Sequence, residues 1–103
     1  MNESLMQQLN RTLAQLEAVS RQGGEAGKQA QQLLSQLYPV KKAMLLRAIA
    51  QQTPLYAALT EALRQGADKA HQAQSGLMAP ALFVKSVQAC MAKALALLPK
   101  QLP

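Results

Sequence analysis

Aromatic residues are nearly missing from this chain. Tyr38, Tyr56 and Phe83 are the only three in 103 residues, and tryptophan does not occur. Base stacking, the usual anchor for single-stranded nucleic acid, therefore has little to draw on. Cysteine occurs once, as Cys90, which excludes an intrachain disulfide and a cysteine-based zinc site. The lack of a disulfide framework fits a reducing compartment, and the cytoplasm is the expected location. The first residues, MNESLMQQLNRTL, show no basic segment followed by an apolar run, so a signal peptide is not expected. Nor is there an uninterrupted apolar run of the roughly 18 residues that a membrane span needs. The longest apolar stretch, Leu77 to Pro99, is broken by Lys85, Gln88 and Lys93.

Acids are scarce as well, and their placement weighs against catalysis. Glu3, Glu17, Glu25, Glu61 and Asp68 are the only carboxylates. Paired-carboxylate catalysis needs two acids facing one cleft. Only Glu61 and Asp68 share a helix face, two turns apart and flanking Arg64. His71 is the sole histidine, with Asp68 as its only neighbouring acid. Neither an orienting group for a nucleophile nor a ligand set for zinc accompanies it. Cys90 falls on an apolar helix face without a base beside it, the pattern of a small buried hydrophobe. The glycine-containing QGGEAGKQ lacks phosphate-loop spacing and follows a helix instead of a strand. No catalytic residue, metal ligand or cofactor site is expected, and the chain is read as non-enzymatic.

What is present is helix-forming. Half the residues are hydrophobic, mostly Ala and Leu, with Gln filling the polar faces and few β-branched residues. The length fits one domain spanning residues 1–103. The expected fold is all-α, a compact bundle of five helices at about 4–21, 25–37, 40–52, 54–74 and 80–98. Ser4 and Gln7 read as a capping box for the first, and Gly23-Gly24 ends it. Tyr38-Pro39 is expected to close the second. Thr53 and Pro54 read as N-cap and first residue of the fourth, and Pro80 opens the fifth. Gly66, on the apolar side of the fourth, would let another helix approach closely. The third helix lies within YPVKKAMLLRAIAQQTP. Met44, Leu45, Leu46 and Ile49 point in several directions on its wheel, the pattern of a helix inside a bundle. It is therefore expected to be central, and Leu46→Asp is expected to unfold the chain. Lys41 and Lys42 would stand in its first turn, mismatched with the helix dipole.

The formal charge is +6, and it is uneven. Up to Tyr38, Arg11, Arg21 and Lys28 balance Glu3, Glu17 and Glu25. After it, Lys41, Lys42, Arg47, Arg64, Lys69, Lys85, Lys93 and Lys100 face only Glu61 and Asp68. This asymmetry fits an anionic partner or simple solubility. With no chemistry to assign, the leading expectation is a protein-binding module of the adaptor, chaperone or anti-activator type. It would act through an apolar helical surface on another protein or on a second copy of itself. Leu77, Met78 and Phe83, in or near a loop, are the expected contact residues, with Lys85 and Lys93 as a basic edge. The alternative is a basic helical nucleic-acid binder making mainly phosphate contacts through Lys41, Lys42, Arg64 and Lys69. Membrane binding is not expected, since lysines opposite an apolar face describe any core-facing helix.

Overall fold

The N–H groups that open each helix need acceptors, and the first helix supplies two of them where the sequence predicts. Ser4 is extended (φ −67°, ψ 162°), and its Oγ accepts the Gln7 N–H at 3.1 Å. Gln7 Oε1 accepts the Ser4 N–H at 2.9 Å, completing the capping box. The computed structural model describes residues 4–101, with side chains to Leu98. Within them the chain is all-helical: α1 (Leu5–Gln22), α2 (Gly24–Leu45), α3 (Pro54–Gln74) and α4 (Pro80–Gln101). Thr53 Oγ1 accepts the Tyr56 N–H at 3.1 Å, and Pro54 occupies the first turn of α3.

The described residues form four helices where five are expected, and the difference arises at Pro39. α2 runs straight through it. An interior proline removes the bond to the carbonyl four residues back and crowds that carbonyl, at a cost of about 3 kcal/mol. Here that carbonyl belongs to Ser35, and both Ser35 and Pro39 are exposed. The lost bond therefore falls on the solvent side, where water can satisfy the carbonyl and the helix can curve to relieve the crowding. On the inner side Leu33, Leu37 and Val40 are all buried. Burial of side chains this size contributes roughly 1.5–3 kcal/mol each. Ending the helix at Leu37 would forfeit the Val40 and Ala43 contacts, so packing overrides the local signal.

Residues 40–45 thus extend α2, and residues 46–53 form turns and bends instead of helix. The expected central helix does not form. Leu45 and Leu46 are 64% and 68% exposed. The core lies elsewhere: Leu9, Leu13 and Leu16 of α1 meet Leu55, Leu59 and Leu63 of α3, Leu33 and Leu37 of α2, and Phe83, Val84, Val87 and Met91 of α4. The chain forms two helical hairpins, α1 with α2 and α3 with α4. They join mainly through α1 on α3, with a thinner seam between α2 and α4.

Gly66 sets the α1–α3 seam, as its place on the apolar face predicts. A Cβ there would stand 3.1 Å from Thr12 Oγ1 and 3.5 Å from Thr12 Cγ2. Thr12 is fully buried, and its hydroxyl donates to the Gln8 carbonyl at 3.0 Å. Gly66→Ala gains helix propensity of about 1 kcal/mol but overpacks this contact by roughly 1–3 kcal/mol. The expected net is a loss of about 1 kcal/mol in urea unfolding. Placed in a Thr12→Ala background, the same change is expected to stabilise, because the atoms it meets are gone. A loss of equal size in both backgrounds would mean that Thr12 does not set the spacing.

α2 and α3 end on the same motif with different residues. At α3, Gly76 (φ 79°) donates to the Ala73 carbonyl at 3.1 Å and Leu77 to the Gln72 carbonyl at 2.8 Å. At α2, Arg47 (φ 54°) donates to the Met44 carbonyl at 3.1 Å and Ala48 to the Ala43 carbonyl at 2.8 Å. Both are Schellman turns, which favour glycine at the left-handed position. An arginine there costs roughly 1–2 kcal/mol, because its Cβ crowds the following carbonyl.

Candidate partner-binding cleft

The Arg47 turn ends α2 at one end of the bundle, where the described residues leave a cleft. The starts of α1 and α3, the end of α2 and the 46–53 segment enclose a cleft of about 670 Å³. Leu5, Met6, Met44, Ile49 and Leu59 supply its apolar part, and Tyr56, Arg47 and Gln51 contribute to a polar share of about equal area. Met44 and Ile49 are partly buried against the core, but Leu45 and Leu46, between Met44 and Arg47 in the chain, face solvent. A second, shallower concavity of about 390 Å³ lies between α1 and α3, lined by Gln8, Arg11, Arg64, Asp68 and His71. Its lining, which also includes Ala67, carries charges of both signs, where the charge lining the first cleft is the cation Arg47.

The residues expected at a contact surface separate on folding. Leu77 is 79% exposed just past α3, at the far end of that helix from the cleft. Met78 is partly buried against the core. Phe83 is fully buried and belongs to the inward face of α4 with Val84, Val87 and Met91. Its place near the loop suggests exposure, but the helical register turns it inward, and it cannot touch a partner in the folded chain. Lys85 and Lys93 are exposed on α4, two turns apart.

The expected phosphate contacts do not form one stripe. Lys41 is partly buried and Lys42 exposed, both near the end of α2. Their relation to the helix dipole is thus the reverse of the expected one, because cations at a helix C-terminus are favoured. Arg64 pairs with Glu61 three residues back, instead of with Asp68. Gln65 Nε2 also donates to Glu61, at 2.8 Å. The exposed Glu61 carboxyl is held below the usual carboxylate range, chiefly by its hydrogen bond from Arg64. Lys69 is partly buried on α3.

The remaining chemistry-bearing groups stand apart from the cleft. Cys90 is half-buried on α4. Burial pushes its thiol up, opposed by the charge of Lys69, so the protonated, unreactive form prevails at neutral pH. Among the described residues no three of His, Cys, Asp and Glu are grouped to hold a metal ion. Over Pro80–Leu98, α4 is long and apolar enough to cross a bilayer by length and composition, with mean hydropathy 1.5. The core helix of a soluble bundle meets the same criterion.

Tyr38 ties α2 to α1 through its hydroxyl, which donates to Glu17 Oε2 at 2.7 Å. That hydrogen bond, then burial and the Glu17 charge, raise the phenol above 10.0. The protonated phenol is thus favoured by folding. Its contribution is complete below the unfolded value and is lost as pH rises through the folded one. In a Tyr56→Phe background, absorbance near 295 nm is expected to show Tyr38 ionising above pH 10, and Glu17→Gln should lower that midpoint. A midpoint insensitive to Glu17→Gln would break the assignment.

The cleft and the exposed leucines beside it have no counterpart to compare: no family model matches the chain, and neither a curated protein sequence nor a solved structure shows significant similarity to it.

Proposed function

We propose that this chain is a non-enzymatic protein-binding module of the adaptor, chaperone or anti-activator type, and that it binds through the open end of its bundle. The observation that supports this is the exposed pair Leu45 and Leu46, set in the chain between Met44 and Arg47, which line a cleft that the described residues leave open. Neighbouring exposed leucines are costly in water and mark contact surfaces when they join a larger apolar patch. This site replaces the loop region at Leu77 as the centre of the proposed interface. Leu77, Lys85 and Lys93 remain exposed but lie on other parts of the surface. The proposed setting is the cytoplasm, in keeping with a lone unpaired cysteine.

The reading is tested by affinity capture with the wild-type chain and with Leu45→Ser/Leu46→Ser. Both side chains are exposed, so the variant is expected to fold with an unchanged helical signal. A protein held by wild type and lost by the variant supports the site, whereas identical captures remove it. A second reading, phosphate contact with nucleic acid, draws support from the acid-free run between Glu25 and Glu61 that carries Lys41, Lys42 and Arg47. Titration against duplex and single-stranded DNA at low salt decides it, since phosphate contacts are strongest there.

A further inference from the structure

Among the described residues, the charged side chain that lines the cleft is a cation, Arg47, beside the apolar Met44 and Ile49. No Asp or Glu occurs between Glu25 and Glu61, and none follows Asp68. The described part of α1 has no acid before Glu17. The end of α2 and the 46–53 segment therefore bring Lys41, Lys42 and Arg47 to the cleft with no acid of their own. Glu61 is already paired with Arg64, one of its hydrogen bonds also coming from Gln65.

Arg47 supplies an independent observation. It occupies the left-handed position that α3 fills with Gly76, and it lines the cleft. Among the described residues its guanidinium makes no hydrogen bond or ion pair. A strained residue whose side chain does nothing for the fold points to a role outside it.

We propose that the cleft and the exposed end of α2 beside it dock an acidic amphipathic helix of a partner protein, with its apolar stripe on Met44 and Ile49 in the cleft and on Leu45 and Leu46 beside it, and its carboxylates on Arg47 in the cleft and Lys42 beside it. This rests on the protein-binding reading and adds the partner's chemistry to it. Such helices seat apolar residues spaced three and four apart in a groove, and flanking acids would complement the cationic edge. A second copy of this chain fits poorly, because it would bring +6 against the same sign. A nucleic-acid backbone fits poorly too, because it has no apolar face to cover two leucines.

The test uses two fluorescein-labelled helical peptides of about 18 residues with the same leucine stripe. One carries glutamates beside the stripe and the other lysines. Anisotropy with the full chain in about 0.05 M salt is expected to show the glutamate peptide bound at least about tenfold more tightly. That preference should shrink in about 0.5 M salt. Arg47→Gly should weaken the glutamate peptide by roughly fivefold. The same change should raise the thermal midpoint by relieving the left-handed turn, so unfolding cannot explain the weaker binding. Leu45→Ser/Leu46→Ser should abolish it. Equal binding of the two peptides, no binding at about 100 µM, or an Arg47→Gly variant that binds as well as wild type would overturn the acidic helix. The capture experiment would still decide the broader protein-binding reading. Displacement of the glutamate peptide by duplex DNA would overturn it by assigning the cations to phosphate. A dimer in light scattering that Leu45→Ser/Leu46→Ser dissolves would overturn it in favour of a second copy.

Discussion

Phe83→Ala is expected to lower stability by about 3–5 kcal/mol, the range for truncating a buried aromatic. For a chain of this length that corresponds to a fall of about 15 °C or more in melting temperature. The ring is fully buried on α4 and belongs to the core cluster formed by all four helices. Its removal loses transfer free energy and leaves a cavity that the surrounding leucines only partly fill. Typical domains have only about 5–15 kcal/mol in total, so much of the margin goes. Urea unfolding followed by circular dichroism measures the loss. Phe83→Leu keeps most of the volume and is expected to cost far less. The pair separates packing from recognition. If Phe83 touched a partner, alanine would weaken binding while stability held; a loss under about 1 kcal/mol would return it to that role.

Val40→Asp and Leu46→Asp form the second test, within one short stretch. Val40 is fully buried beyond Pro39, while Leu46 is 68% exposed at the end of α2. An aspartate at Val40 would place a carboxylate among Leu37 and its core neighbours without a partner, a change that costs several kcal/mol. The expected result is an unfolded chain in the absence of denaturant. Leu46→Asp is expected to stay within about 0.5 kcal/mol of wild type, as surface changes do. The wheel of residues 40–52 predicts the opposite for Leu46, which it turns inward. An unfolded Leu46→Asp would therefore favour a separate, central helix, and a folded Val40→Asp would break the continuous α2.

Three of the helices are readable from local chemistry. Ser4 with Gln7, Thr53 with Pro54, and Gly23 state their ends in side chains that bond backbone groups or permit a positive φ, and the structure uses each of them so. The inward faces of α1, α3 and α4 follow from apolar spacing. Pro39 is where local reading gives out. A proline after Tyr38 signals a break, and only the burial of Val40 and Ala43 against other helices reverses it. No window of sequence contains that information. The same omission displaces Leu45 and Leu46: apolar residues pointing in several directions suggest an interior helix, and they equally describe a helix end left uncovered. The cationic edge was legible as charge but not as place. Lys41 and Lys42 change from the start of a helix to its end once α2 is seen to continue. Arg47 is legible as one more cation, but its left-handed turn is not, because that conformation is expected of glycine.

Pro39 also divides α2 in its resistance to opening. It has no N–H to bond the Ser35 carbonyl, so the helix lacks one rung of its ladder there. Beyond it lie a few residues of helix, a strained turn at Arg47 and the irregular 46–53 segment. Cooperative units of a protein open separately when few buried contacts and few hydrogen bonds bind them to the rest. Amide hydrogens of residues 42–50 are therefore expected to exchange with deuterium well before those of residues 30–37, whose leucines are locked between α1 and the core. The wall of the cleft is then expected to open as a unit of its own while the two hairpins keep their shape.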